Sequence, residues 1–394
     1  MKFTRQIFYN LKENISKHTS VIHVLIGPRQ VGKTTIACQI QESVDFPVIY
    51  ASADSPVPLD ASWIETQWRR VLAESNAANK PGLIILDEIQ KVRGWSETIK
   101  TLWDARPNSP PISMLILGSS SLLMQEGLTE SLAGRFFLHR CNHWDYSECK
   151  TAFGWNLEKW IFFGGYPGAV PFTDDENSWK RYITDSLIET VVARDVLQMS
   201  KITKPVLLRH LFALAATLPA QCVSYTKMLG QLHDAGNTTT LAHYLKLLES
   251  AFLVSGLELF SRNKIRKRGS SPKLVLWNNA LINALSTRTF DTAVIDAAWW
   301  GRLVENAVGA SLCNNLNSIE YAITYWRQGN YEVDYVVSRG SQTWAIEVKS
   351  GTGKRLSGLA RFQHQYPEAK PLIIGGTGIP LEEFFSTDPK QWLD

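Results

Sequence analysis

Short apolar runs alternate with helical patterns over the first 150 residues. The runs cover residues 21–26, 47–51, 83–86 and 114–117. Each has the length of a buried strand, and the first is bounded by Gly27. Strands that alternate with helices predict a parallel sheet with helices on both of its faces. We therefore expect an α/β fold at the start of the chain.

The pattern changes after about residue 155. A turn cluster at 164–168 precedes a mostly helical stretch, and two amphipathic helices then flank the pair Asn237-Thr238. Near the end, residues 331–337 and 343–349 alternate with period two across Gly340, which predicts a hairpin. We expect four domains, at 1–150, 151–218, 219–290 and 291–394.

Composition excludes several classes of protein. Hydrophobic residues make up 44% of the 394 residues, and 41 basic residues against 37 acidic ones leave a net charge of +4. Any basic surface must therefore be local. The five cysteines form no CxxC pair, and no apolar run reaches the about 18 residues of a membrane helix. With no apolar signal core at the N-terminus, a cytoplasmic multidomain protein is expected, with no membrane partner.

The first apolar run is followed by the pattern G-x-x-x-x-G-K-[ST], at residues 27–34, and then by a helical segment. Such a loop wraps phosphates with backbone N–H groups at a helix N-terminus. Lys33 would neutralise phosphate charge, and the Thr34 hydroxyl would ligate Mg²⁺. ATP and Mg²⁺ are the expected ligands. The predicted nucleotide-binding residues are Gly27, Pro28, Arg29, Gln30, Val31, Gly32, Lys33, Thr34 and Thr35.

Two further apolar runs end in polar residues. Asp87 ends the run at 83–86 and is expected in the Mg²⁺ shell, and Glu88 is expected to orient and polarise the attacking water. The run at 114–117, inserted between the two strands that carry these motifs, would bring Ser119 or Ser120 near the γ-phosphate. A helix N-cap is the alternative for these serines.

Arg135 follows the last of these strands by one helix length and is a candidate arginine finger for a neighbouring subunit. Arg140 competes with it for this role. A surface arginine is the alternative for each.

Motifs along nearly the whole chain resemble a large prokaryotic family that joins an AAA-like P-loop ATPase to a C-terminal domain of uncharacterised function. The resemblance implies ATP binding, and because AAA relatives often form rings, a homo-oligomer is one expected state. The motifs lie at 27–35, 86–90, 118–120, 131–135, 164–168, 194–196, 271–273, 303–306, 325–327, 332–334 and 345–349.

The two amphipathic helices, at 223–232 and 238–249, resemble a winged helix whose recognition helix starts at Thr238. The basic segment that follows would form the wing and contact DNA phosphates. A solvated loop or a protein-docking module is the alternative. The candidate DNA-binding residues are Arg262, Lys264, Arg266, Lys267 and Arg268.

Acidic residues mark the predicted C-terminal hairpin. Asp334, Glu347 and Lys349 resemble the motif of the PD-(D/E)xK nuclease core, and Glu305 matches its helix acid. Asp334 and Glu347 could share one metal, with Lys349 steadying the nucleophile or the developing phosphate charge. The resemblance implies a restriction-endonuclease-like domain, whose metal set would be Glu305, Asp334 and Glu347. An inert version of the fold is the alternative.

Three functions remain open. In the first, ATP turnover drives action on nucleic acid, with catalysis at Asp334, Glu347 and Lys349. Alternatively, the protein is a nucleotide-switched scaffold for a protein partner, with an inert nuclease-like domain. In the third, ATP binding alone changes the state of a regulator.

Overall fold

The computed structural model describes residues 3–118, 128, 131–196, 202, 204–232, 237–262, 271–351 and 357–393, with the backbone alone at 194 and 195. These residues form two compact units, 1–142 and 143–394. The domain limits expected at 218/219 and 290/291 both fall within the second unit. None of the helices in the described ranges combines the length and hydropathy that a bilayer crossing needs.

The first unit is an α/β layer structure. Its strands are β1 (Ile22–Ile26), β2 (Val48–Ser52), β3 (Gly82–Asp87), β4 (Ile112–Gly118) and β5 (Phe136–Arg140). Its helices are α1 (Gln6–Lys17), α2 (Lys33–Glu42), α3 (Ala61–Ala78) and α4 (Trp95–Asp104), with a 3₁₀ turn at Ile89–Lys91.

The five strands are parallel and follow the order β2-β3-β4-β1-β5. All residues of β1, β3 and β4 are buried, as in a parallel sheet covered on both faces. The four predicted strands are confirmed, and β4 lies between β1 and β3 as expected. The fifth strand, β5, was not predicted, because the apolar run in its sequence Phe-Phe-Leu-His-Arg is only three residues long and is followed by two polar ones.

The second unit begins with helices, as expected. They are α5 (Tyr146–Phe153), α6 (Leu157–Phe163) and α7 (Glu176–Arg181), with a 3₁₀ segment at Pro167–Phe172 and π-helical segments at Tyr182–Ile188 and Val191–Val196. Then come α8 (Pro205–Thr217), α9 (Tyr225–Gln231) and α10 (Thr238–Ser250). Asn237 caps α10 through its side chain, which accepts from the backbone N–H of Thr240 at 2.8 Å.

Two short strands follow these helices and form an antiparallel pair, β6 (Val254–Leu257) and β7 (Lys273–Leu276). Helices α11 (Ala280–Asn283), α12 (Phe290–Ile295) and α13 (Ala297–Asn315) come next. The two helices expected at 223–232 and 238–249 correspond to α9 and α10, and the winged-helix arrangement of residues 219–290 remains a prediction.

The chain ends in a four-stranded mixed sheet of order β11-β10-β9-β8. Its strands are β8 (Ala322–Gln328), β9 (Tyr331–Arg339), β10 (Gln342–Lys349) and β11 (Lys370–Gly375). Helix α14 (Ser357–Gln365) lies between β10 and β11, and α15 (Leu381–Ser386) and a 3₁₀ turn (Pro389–Trp392) follow β11. Strands β9 and β10 pair across Gly340, which confirms the hairpin. Tyr335, Trp344 and Ile346 contribute to the buried core of this sheet.

Two histidines are buried side by side on β1 and β5. His23 Nδ1 lies 3.0 Å from His139 Nε2, and the two side chains are almost fully buried. Burial, and then the neighbouring His23, lowers the pKa of His139 to about 4, and burial also lowers the pKa of His23. Both rings are therefore neutral in the folded unit at neutral pH.

This pair predicts acid sensitivity of the first unit. Because the pKa of His139 is lower in the folded state, its contribution to stability is present above pH 6.5 and is lost as pH falls towards 4. When the pH is lowered from 7.5 to 4.5, the free energy of unfolding should fall by about 2 to 3 kcal/mol less in His139→Gln than in wild type. Urea titrations at each pH measure this difference.

A matched control uses an exposed histidine. His243→Gln, on α10, should keep the wild-type pH dependence. An unchanged pH dependence in His139→Gln would contradict the prediction.

Candidate functional site

The loop between β1 and α2 is held in shape by its backbone neighbours. A side chain at Gly27 would collide with the carbonyl group of Cys141, so only glycine fits there. Gly32, which precedes α2, has φ +95°, a left-handed conformation that favours glycine. Arg5 Nη1 donates to the carbonyl oxygens of Val31 and Asn142, each at 3.0 Å. The loop is therefore preorganised at the N-terminus of α2.

Lys33 is buried inside this loop. Its Nζ donates to the carbonyl oxygens of Gly27 at 2.9 Å and Pro28 at 2.6 Å. Burial lowers the pKa of Lys33, while Cys141, Glu88 and Asp87 act in the opposite direction. Neutral carbonyl groups are weak partners for a buried ammonium, so an anionic group at this position would stabilise it more strongly.

Asp87 collects two hydroxyl donors at the carboxyl end of β3. Thr34 Oγ1 and Tyr50 Oη both donate to Asp87 Oδ2, at 2.8 Å and 2.9 Å. Burial, and then the nearby Asp87 carboxylate, raises the pKa of Tyr50, so the phenol stays protonated. Hydroxyl and carboxylate oxygens are the ligands that Mg²⁺ takes, so Thr34 and Asp87 fit the expected metal.

Glu88 has a left-handed backbone, with φ 55° and ψ 34°. This conformation is unfavourable for a non-glycine residue and is often found at functional positions. Gln90 Nε2 donates to Glu88 Oε2 at 2.7 Å and orients the carboxylate. A half-buried carboxylate held beside Asp87 is suited to accept a proton from water.

Sequence reasoning missed three contributors to this site, namely Arg5, Tyr50 and Gln90. Arg5 lies at the N-cap of α1 and Tyr50 lies on β2. Only the fold brings Arg5 to the loop and Tyr50 to Asp87. Gln90 lies two residues after Glu88, so its spacing was the one available signal. Ser119 and Ser120 lie outside the described residues.

The two candidate finger arginines differ in their surroundings. Arg135 forms a two-pronged ion pair with Asp104, with distances of 2.8 Å and 2.9 Å. Arg140 is exposed at the end of β5. The arginine-finger role of Arg135 remains a prediction, and it would require Arg135 to leave Asp104.

Carboxylates in the second unit form a cluster that differs from the predicted set. Oxygens of Glu305, Glu332 and Asp334 lie within 4.8 Å of one another, a spacing that could hold a metal. Lys273 of β7 is fully buried among them, with Nζ 2.6 Å from Glu305 Oε1. Sequence reasoning did not assign Lys273 or Glu332 to this site, although both lie within motifs of the family resemblance, at 271–273 and 332–334.

The other two predicted residues, Glu347 and Lys349, pair with each other. Lys349 Nζ donates to Glu347 Oε1 at 2.6 Å. Burial, and then the Asp334 carboxylate, raises the pKa of Glu347. Asp334 Oδ2 accepts the backbone N–H of Val348 at 2.7 Å, which fixes Asp334 against β10. The predicted metal role of Glu347 is not tested by these contacts.

Of the candidate DNA-binding residues, only Arg262 is described. Its guanidinium forms an exposed ion pair with Glu368 at 2.6 Å. Lys264, Arg266, Lys267 and Arg268 lie outside the described residues.

The chain is similar to known families in three segments. Residues 19–150 match the family described as AAA domain. Residues 154–292 and 300–382 match two families that are each described as a domain of unknown function, DUF8612 and DUF4143. Uncharacterised proteins of Mycobacterium bovis and Mycobacterium tuberculosis are each 27% identical over 390 residues, which cover 94% of this chain and 82% of theirs.

Two solved structures are similar to this chain at a low level. A Walker-type ATPase of Pyrococcus abyssi is 14% identical, covers 72% of this chain and 96% of its own, and has a TM-score of 0.48. The Aeropyrum pernix ORC1 protein, solved in complex with DNA, is 13% identical, covers 73% and 93%, and has a TM-score of 0.30. The family match shows that residues 19–150 are similar to an AAA domain, and the geometry of the loop between β1 and α2 agrees with that match.

Proposed function

We propose that the first unit binds ATP with Mg²⁺ and hydrolyses it. The observation that carries the proposal is the 2.8 Å hydrogen bond between Thr34 and Asp87. It joins the hydroxyl of the phosphate loop to the carboxylate at the end of β3, two oxygen groups that come from separate motifs. Such a pair is the expected Mg²⁺ site of a P-loop ATPase.

The remaining residues have distinct roles in this proposal. Backbone N–H groups of residues 27–35 bind the phosphates, and the Lys33 ammonium neutralises their charge. Thr34 and Asp87 hold Mg²⁺, which supplies charge neutralisation when bound. Glu88 orients a water and accepts its proton at a carboxylate oxygen, while Gln90 positions Glu88.

Two substitutions separate binding from turnover. Lys33→Ala should abolish ATP binding, because the phosphate charge loses its buried cation. Glu88→Gln should bind ATP normally but hydrolyse it about 10² to 10⁴ times more slowly, because an amide accepts no proton. Fluorescent-nucleotide titration and phosphate release measure the two properties.

Lys100→Ala, an exposed lysine on α4, is the matched control and should behave as wild type. Unchanged turnover in Glu88→Gln would mean that hydrolysis does not use this carboxylate. Normal function of that variant in cells would then favour a regulator in which ATP binding alone changes the state.

The Mg²⁺ role of Thr34 has its own test. Thr34→Val removes the hydroxyl but keeps the shape, and the Mg²⁺ concentration for half-maximal turnover should rise by about tenfold or more. Thr34→Ser keeps the hydroxyl and should remain near wild type. Equal Mg²⁺ requirements in the two variants would contradict the assignment.

We propose, as a second function, that ATP turnover is coupled to binding or processing of nucleic acid by residues 143–394. Supporting it are the element order α13, β8 to β10, α14 and β11, which agrees with a PD-(D/E)xK core, and Asp334 and Glu347 on adjacent strands. The order α8 to α10 followed by β6 and β7 agrees with a winged helix. The competing proposal, a scaffold for a protein partner, is supported by the ion pairs that engage Lys349 and Arg262.

DNA dependence separates these two proposals. Duplex DNA should stimulate ATP turnover in wild type but not in Lys33→Ala. Replacing Lys264, Arg266, Lys267 and Arg268 together by alanine should lower the slope of log affinity against log salt by about 3 to 4, since each phosphate contact contributes about 0.9. Fluorescence anisotropy of labelled DNA at several salt concentrations measures the slope.

Alanine substitution of the four exposed residues Lys17, Arg69, Lys91 and Lys100 of the first unit is the control for lost charge. Turnover that is indifferent to DNA, together with no salt-dependent binding, would support the protein-scaffold proposal.

A further inference from the structure

A lysine ammonium is completely buried in the carboxylate cluster of the second unit. Lys273 has no exposed surface, and its Nζ lies 2.6 Å from Glu305 Oε1, 3.5 Å from Glu332 Oε1 and 3.8 Å from Asp334 Oδ1. It also donates to the backbone carbonyl of Asp334 at 3.0 Å. The ring of Tyr335 lies 4.8 Å away and provides a favourable face for a cation.

The carboxylates around this ammonium would also suit a metal ion. Glu305, Glu332 and Asp334 each offer an oxygen within 4.8 Å of the others, which is the arrangement of a divalent-cation site. Glu305 and Asp334 are largely buried, with side-chain exposures of 14% and 16%. Three carboxylates in such a space repel one another unless a cation lies between them.

We propose that the Lys273 ammonium is the resident cation of this site, that it takes the place of a divalent metal ion, and that it closes the Glu305, Glu332 and Asp334 set to metal. The proposal concerns the second unit and does not rest on ATP turnover by the first.

The backbone holds Lys273 in this position from two sides. Strand β7 pairs with β6, where Lys273 lies opposite Leu257, and Lys273 also forms a bridge with Cys222. The backbone N–H of the next residue, Leu274, donates to the backbone carbonyl oxygen of Gln221 at 3.0 Å. Because the ammonium is tethered, its effective concentration at the carboxylates is far above that of a free cation.

The carboxylates are held as firmly as the lysine. Arg302 Nη1 lies 3.3 Å from Glu305 Oε2, and the Tyr335 hydroxyl donates to the Glu305 backbone carbonyl at 2.6 Å. Asp334 is fixed by the backbone N–H of Val348. Glu305 and Asp334 are therefore each held by a contact besides Lys273, and a metal at these two residues would have to displace the buried ion pair of Lys273 with Glu305.

Electrostatics favour a charged lysine in this place. Burial by itself lowers the pKa of Lys273, but Glu305 and Asp334 more than reverse this effect, so its pKa lies well above the usual value. The oxygens of Glu305, Glu332 and Asp334, at 2.6 Å, 3.5 Å and 3.8 Å from Nζ, therefore stabilise the charged form of the lysine.

The ion pairs of Lys273 connect two segments of the chain that match different families. Lys273 belongs to the segment 154–292, and its three carboxylate partners belong to the helix and strand of the segment 300–382. The ion cluster ties these segments together within one unit without a metal. Metal-dependent chemistry at these carboxylates would first require Lys273 to withdraw.

Mn²⁺ binding to the full chain tests the proposal. Free Mn²⁺ is measured by electron paramagnetic resonance with nucleotide-free, chelator-treated protein. Wild type, Glu332→Gln and Asp334→Asn should bind the same number of Mn²⁺ ions. Lys273→Met should bind about one additional ion, at least about tenfold tighter than any wild-type binding to this unit, because methionine fills similar space without charge.

The double variant Lys273→Met with Asp334→Asn should lose the additional ion, which assigns it to the cluster. Circular dichroism checks that each variant is folded. A folded Lys273→Met that gains no Mn²⁺ would overturn the proposal.

A second comparison needs no Lys273 variant. Wild type could bind a Mn²⁺ ion whose affinity falls in Glu332→Gln or Asp334→Asn. Such a result would show that metal reaches the carboxylates beside Lys273, and it would also overturn the proposal. Equal binding in these three proteins supports it even where Lys273→Met fails to fold. ATP hydrolysis enters neither readout, so a failure here is distinct from a failure of the proposed ATPase function.

Discussion

A buried lysine ammonium must be given partners by the fold, because removing the charge from water costs several kcal/mol. This constraint governs the candidate sites of both units. In the first unit the partners of Lys33 are two carbonyl oxygens of its own loop. In the second unit the partners of Lys273 are carboxylates from a helix and a strand that are distant in sequence. The strength of the partners separates the two sites.

Weak partners leave a lysine available to a ligand, and strong partners do not. Carbonyl groups carry only partial charge, so phosphate oxygens can replace them around Lys33 with a gain in electrostatic stabilisation. The acidic groups around Lys273 are stronger partners than carbonyl groups, so we assign that lysine a structural role within the folded unit. In the two proposals, the same residue type therefore forms a ligand-binding group in one unit and an internal cross-link in the other.

The geometry of parallel strands explains why the nucleotide site is compact. The phosphate loop follows β1 and Asp87 ends β3, and the carboxyl ends of parallel strands meet at one edge of a sheet. Because β4 lies between them, the two motifs are separated by one strand width and meet through the side chains of Thr34 and Asp87. The left-handed backbone of Glu88 then ends β3 and leads into the 3₁₀ turn at Ile89–Lys91.

The sequence by itself determined the phosphate loop, the acids at the end of β3, four of the five strands of the first unit and the C-terminal hairpin. These features depend on local spacing: a glycine-rich loop before a helix and alternating residues in a strand are visible without long-range information. Only the tertiary structure decided the partners. Tyr50 reaches Asp87, Arg135 pairs with Asp104, and Lys273 enters a carboxylate cluster. Such pairs join residues 31 to 61 positions apart, a separation over which no local pattern of the sequence predicts contact.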